Sequence, residues 1–124
     1  MKKAIDIQIG GDHYKKMPFQ PVELFAKTRC TAFQANIWKY ISRYKFKNGK
    51  EDIEKCIHYA RLAKSLKCKG YLGRTKKIPL IKLFCQMNSF SESVEHIVMS
   101  AGLDRYDEVI KGCKLILQKE YSAK

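Results

Sequence analysis

Near the start of the chain Ile5, Ile7 and Ile9 alternate with Asp6 and Gln8, the period of a half-buried strand. Gly10-Gly11 stops that strand and permits backbone angles closed to other residues. Pro18 and Pro21 bracket a short extended or turn segment, and Pro21 suits the first position of a helix through Val22, Leu24, Phe25 and Lys27. The clearest periodicity runs from about Phe33 to Phe46, where Phe33, Ile37, Ile41 and Tyr44 form an apolar stripe. Asn48-Gly49 closes this helix, with Gly49 expected as a left-handed cap. A second helix starts near Glu51, whose acidic first turn suits the positive end of the helix dipole. Ile53, Cys56, Ile57, Ala60 and Ala63 give it a core face, and so short a connection makes the two helices antiparallel.

Residues 67–77 carry two glycines and five positive charges and read as an exposed basic loop or hairpin. After Pro79 the pattern predicts a short helix, Leu80–Met87. A further helix through Val94, Ile97 and Val98 is capped by Ser89 or Ser91 and ended by Gly102. A last helix spans Asp104 to about Lys119. The expected fold class is mainly α with a small N-terminal β element (α+β): a helical hairpin core plus C-terminal helices.

With 124 residues, one domain is the natural expectation. Its charge is lopsided. Residues 1–77 hold 19 Lys/Arg against 6 Asp/Glu, whereas residues 78–124 hold 6 of each, so the first part carries the whole surplus of +13. The basic part, 1–77, is therefore expected to bind an anionic ligand, and the neutral part, 78–124, to serve packing or assembly. No apolar run approaches a membrane span, and Asp6, Gln8 and the glycine pair interrupt any signal core, which predicts a cytoplasmic protein without a membrane partner. Five widely spaced cysteines, none in CxxC spacing, predict reduced, buried thiols rather than a disulfide frame, and no metal site.

Three groups of residues carry candidate chemistry. Asn36, Lys39, Tyr40 and Arg43 share one side of the first hairpin helix. Lys39 and Arg43 there suit phosphate, Tyr40 suits stacking and Asn36 suits a base or ribose hydrogen bond. Asp52, Lys55 and Tyr59 share a flank of the second helix, with Asp52 placed to pair with a cation and Lys55 left available. In Gly10-Gly11-Asp12-His13-Tyr14-Lys15, main-chain N–H groups suit an anion, Asp12 a ribose hydroxyl and Tyr14 a base. There is no GxxxxGK[ST] loop. The same residues equally satisfy a solvated cationic face, an intra-hairpin salt bridge and a tight turn.

The combined pattern Gly10-Gly11-Asp12-His13-Tyr14, Gln20-Pro21, Asn36-x-x-Lys39-Tyr40-x-x-Arg43 and Lys47-Asn48-Gly49-x-x-Asp52-x-x-Lys55-x-x-His58-Tyr59 resembles a family of small phage-encoded proteins. The resemblance covers roughly residues 8–66. One branch is similar to a podovirus-type nucleotide kinase that lacks a Walker motif. Another is similar to anti-Thoeris sponges, which sequester the cyclic ADP-ribose-type signal of bacterial TIR-domain defence without degrading it. The resemblance implies ligand contacts among Asp12, His13, Tyr14, Asn36, Lys39, Arg43 and Asp52, in the cytoplasm of a bacterial host.

Phosphoryl transfer asks for magnesium-holding carboxylates and a base beside the cations, and the basic part has only six acidic residues with no convincing paired spacing. Holding a diphosphate and a base asks only for cations, main-chain donors and an aromatic platform. The expectation is therefore a non-enzymatic sponge needing no cofactor, with a nucleoside monophosphate kinase-like enzyme as the alternative. A basic nucleic-acid binder is the third reading, with Lys64, Lys67, Lys69, Arg74, Lys76 and Lys77 tracking a backbone. Apolar residues of the neutral part, among them Leu80, Ile81, Leu83, Phe84, Val94, Ile97, Val98 and Met99, predict an even-numbered homo-oligomer. In that assembly Arg74, Phe84, Asn88 and Arg105 approach a ligand held between subunits.

Overall fold

The computed structural model describes residues 3–8, 13–71 and 73–122, the Arg74 side chain excepted. Six helices follow in order: α1 (Pro21–Thr28), α2 (Ala32–Arg43), α3 (Lys50–Ser65), α4 (Arg74–Met87), α5 (Glu92–Gly102) and α6 (Tyr106–Tyr121). Two short 3-10 turns, Ala4–Asp6 and Tyr14–Lys16, precede them. Helix α2 packs on α3, α3 on α6, α6 on α5 and α5 back on α2, which closes a four-helix ring, while α1 and α4 pack on each other and against α2 and α5 respectively.

Local sequence explains most boundaries. Pro21 opens α1, and Glu23 reaches back to the Gln20 backbone N–H at 2.8 Å. Thr31 caps α2: its hydroxyl accepts from the Gln34 N–H at 3.1 Å, and the Gln34 side chain accepts from the Thr31 N–H at 3.0 Å. Ser91 caps α5 by accepting from Val94 N–H, and Gly102 is that helix's last residue. The hydrophobic stripes converge on one core cluster with members from all six helices, including Leu24, Trp38, Ile53, Phe84, Val98 and Val109. Trp38 is fully buried, and its indole N–H donates to the Val98 carbonyl at 2.9 Å. Cys56, Cys85 and Cys113 are buried in this core, and Cys30 and Cys68 are half-buried.

The expected N-terminal β element is overturned. Ala4–Asp6 is a 3-10 turn, and no strand exists among the described residues; Ile9 and the glycine pair fall outside them. A strand needs a ladder partner, and no second segment among the described residues offers one. The main chain is satisfied by a side chain instead: the Gln20 amide donates to the Ile5 carbonyl at 2.7 Å. The supposed loop 67–77 is also shorter than expected, because α4 begins at Arg74 and carries Pro79 inside it. Between α2 and α3, Gly49 has the predicted positive φ of 53°, but with ψ −121° it serves as the N-cap of α3. Of the apolar residues expected to drive assembly, Ile81, Phe84, Val94, Ile97 and Val98 lie in the core; Leu83 is exposed.

Candidate functional site

The site is built on the hairpin of α2 and α3. Helical spacing puts Lys39, Tyr40 and Arg43 on one side of α2, facing Asp52, Lys55 and Tyr59 of α3. The rings of Tyr40 and Tyr59 stack with centroids 5.9 Å apart and planes 11° from parallel. Three cations lie close to the Tyr40 ring: Lys39 Nζ at 4.6 Å from its centroid, Arg43 Cζ at 4.7 Å and Lys55 Nζ at 5.0 Å. So dense a cluster around one ring is held by cation–π attraction and by the packing of the long aliphatic stems.

The cations are not equivalent. Asp52, wholly buried, accepts from Arg43 Nε at 3.2 Å and from Nη2 at 3.1 Å, and also from the Asn48 N–H at 3.3 Å. Arg43 itself is nearly buried. Its charge is opposed by burial, yet Asp52 and the Tyr14 hydroxyl together outweigh this and raise its pKa. Arg43 is therefore engaged within the protein, and the hairpin salt bridge anticipated as one reading of these residues is present. Lys55 has only a loose 3.9 Å pairing with exposed Glu51, and among the described residues no carboxylate pairs with Lys39. These two ammonium groups are the ones available to an external anion.

The N-terminal segment closes the site on one side. Gln8 Oε1 accepts from the backbone N–H groups of Tyr14 and Lys15, at 2.6 and 3.2 Å, and so fixes the turn that carries Tyr14. The Tyr14 hydroxyl donates to the Lys39 carbonyl at 3.4 Å. Burial pushes that hydroxyl's pKa up, while the Arg43 guanidinium beside it pulls the other way. His13 stacks on exposed Phe46 with centroids 4.7 Å apart, and its buried Nε2 has no hydrogen-bond partner among the described residues. Phe46 was not anticipated from the sequence. As the last residue of the expected apolar stretch it read as helix, whereas it lies in the turn after α2 and is 72% exposed.

Beside the cluster is a cavity of about 350 Å³. Its walls are apolar, from Ile7, Pro21, Val22 and Phe25, and its polar edge comes from Gln8, Gln20, Tyr14 and Lys39. Tyr14 and Lys39 thus belong to both the cluster and the cavity. The remaining expected contacts divide. Asn36 is on the same helix side, but its amide donates to the Ala32 carbonyl at 2.8 Å within α2. Asp12 and the glycine pair lie outside the described residues. Of the residues expected at a subunit boundary, Phe84 is buried in the core, Asn88 donates to the Phe19 carbonyl at 2.7 Å, and Arg105 is exposed.

No helix among the described residues is long and apolar enough to cross a membrane. Among the same residues no three His, Cys, Asp or Glu side chains gather as a metal site. Comparison with known proteins gives one family: a model described as a protein of unknown function (DUF3310) matches residues 10–61. No curated protein and no solved structure matches the chain. The matched segment is similar to that family over the stretch that supplies Tyr14, the α2 face and the α3 face of the cluster.

Proposed function

We propose that this protein captures a small diphosphate-containing nucleotide of the cyclic ADP-ribose type and holds it chemically intact, as a sponge against TIR-based Thoeris signalling. One observation carries the reading: Lys39 and Lys55, neither held by a close ion pair among the described residues, flank a tyrosine platform whose third cation is locked in place by Asp52. Two ammonium groups bind the phosphates as point charges, and the Tyr40–Tyr59 stack offers an aromatic surface. Arg43 acts as a positioning residue that holds the platform between them. Among the described residues, the buried carboxylate beside the cations, Asp52, is spent on Arg43, which supports retention rather than turnover.

The test uses the full chain. It is incubated with candidate nucleotides, separated from free ligand and heat-denatured, and the released molecule is compared with the input. Unchanged release from the wild type, lost in Lys39→Glu, is the expected outcome. A new phosphorylated product would instead mark a nucleotide kinase, and steeply salt-dependent binding of DNA in place of small nucleotides would mark a nucleic-acid binder. Arg43→Glu is a poor probe, because it sets a second carboxylate against buried Asp52 and would disturb the fold together with the site.

A further inference from the structure

We infer that the cavity next to Lys39 is a separate subsite for a planar heteroaromatic base, so that the ligand lies with its base in the cavity and its phosphates over Tyr40. This rests on the nucleotide reading above and adds where, and by what chemistry, the base is recognised. At about 350 Å³ the cavity lies at the small end of the range for ligand sites, the size of one base with its sugar rather than an extended chain. Its walls suit a flat ring. Phe25 lines it and is backed by the buried Trp38, the two rings 17° from parallel with centroids 6.3 Å apart, so the wall does not give way. Pro21 and Val22, from the first turn of α1, and Ile7 supply the other apolar surface.

The polar edge suits a base rather than a lipid chain. Gln8 spends its amide oxygen on two backbone N–H groups, which fixes its orientation and leaves its Nε2 without an acceptor among the described residues. An oriented amide donor is what a ring nitrogen or carbonyl of a base requires. The Tyr14 hydroxyl lies against the Lys39 carbonyl at 3.4 Å with the Arg43 guanidinium beside its oxygen, which fixes a polar group at the cavity edge. Lys39 stands at the junction, lining the cavity while its Nζ lies over the Tyr40 ring. A phosphate held there is tethered directly to whatever fills the cavity.

The experiment measures wild type, Val22→Ala, Val22→Trp and Lys39→Glu by calorimetry against adenosine diphosphate and inorganic pyrophosphate. Val22 is 50% exposed at the rim, so a tryptophan blocks the cavity without entering the core, and a thermal melt checks that the variant is folded. The expected result is that Val22→Trp weakens the nucleotide by about tenfold or more and leaves pyrophosphate within about twofold, while Val22→Ala, which trims the apolar wall without blocking it, weakens the nucleotide only by about two- to fivefold and leaves pyrophosphate unchanged. Lys39→Glu weakens both ligands. If Val22→Trp binds the nucleotide as tightly as wild type while Lys39→Glu does not, the base subsite is overturned and the phosphate reading stands. If Val22→Trp weakens both ligands equally, the two are not separate subsites and the inference also fails. If the folded wild type binds neither ligand, the nucleotide reading itself falls.

Discussion

Helix α2 carries a polar cluster at each end, and the two are used differently. At its start, Gln34 is fully buried and its amide donates to the Ala101 carbonyl and to Asp104, each at 3.1 Å. Asp104 also accepts from the Gly70 N–H at 2.9 Å and from the Tyr106 hydroxyl at 3.1 Å. Lys77, only 3% exposed, donates to the Gly102 carbonyl at 3.0 Å. Every named group there has a partner inside the protein. At the other end, among the described residues, only Arg43 and Asp52 form a close ion pair, while Lys39 and Lys55 are left with aromatic rings and one loose carboxylate. Buried polar groups that are satisfied build structure; charges brought together without partners are open to a ligand.

The comparison can be broken first at the one matched part of the site end, the buried ion pair. Asp52→Ala leaves Arg43 nearly buried and unpaired and should cost about 3–5 kcal/mol, read as a lower urea midpoint. Next comes the structural end. A Cβ at Gly102 would meet Ile81 Cδ1 at 2.3 Å and Trp38 at 3.3 Å, so Gly102→Ala should cost about 1–3 kcal/mol while ligand retention, once corrected for the folded fraction, is unchanged.

The core thiols give an alkaline test. Burial, with a smaller contribution from Glu95, pushes Cys85 up from 9.0 to about 12. The folded state therefore holds this proton where the unfolded chain releases it, so stability falls as pH rises from 9.0 toward 12. Cys85→Ala should show a shallower fall than wild type over that window, followed by denaturant titrations at stepped pH. The smallest stability effect is expected at the other end of α2. Lys39→Glu should move the unfolding free energy by less than about 0.5 kcal/mol while abolishing retention of the nucleotide.

What could be read from the residues alone follows from how local each signal is. Pro21, Ser91 and the apolar stripe through Ile37 and Ile41 act within one or two turns, and those elements form where they point. The alternation of Ile5, Ile7 and Ile9 is equally local, but a strand depends on a distant partner that a one-strand pattern cannot report. The start of α4 was hidden because glycines, charge and Pro79 suggested a loop, whereas Arg, Lys and Lys are good helix formers and the helix runs on through Pro79. At the site, spacing put Lys39, Tyr40 and Arg43 on one side, but it could not divide their charges between salt bridge and ligand. That division depends on Asp52 being buried when α3 folds back, a property of the packed hairpin. The cavity was invisible for the same reason: its walls come from three separate segments.

The bond between Tyr44 and Glu120 spans 76 positions of sequence, and that from Trp38 to Val98 spans 60. As the polypeptide leaves the ribosome, the tyrosine-and-lysine face is therefore made long before the helices that shelter Trp38. An excised 10–61 fragment would expose that indole and should clump rather than fold, so screens for binding ought to use the entire polypeptide.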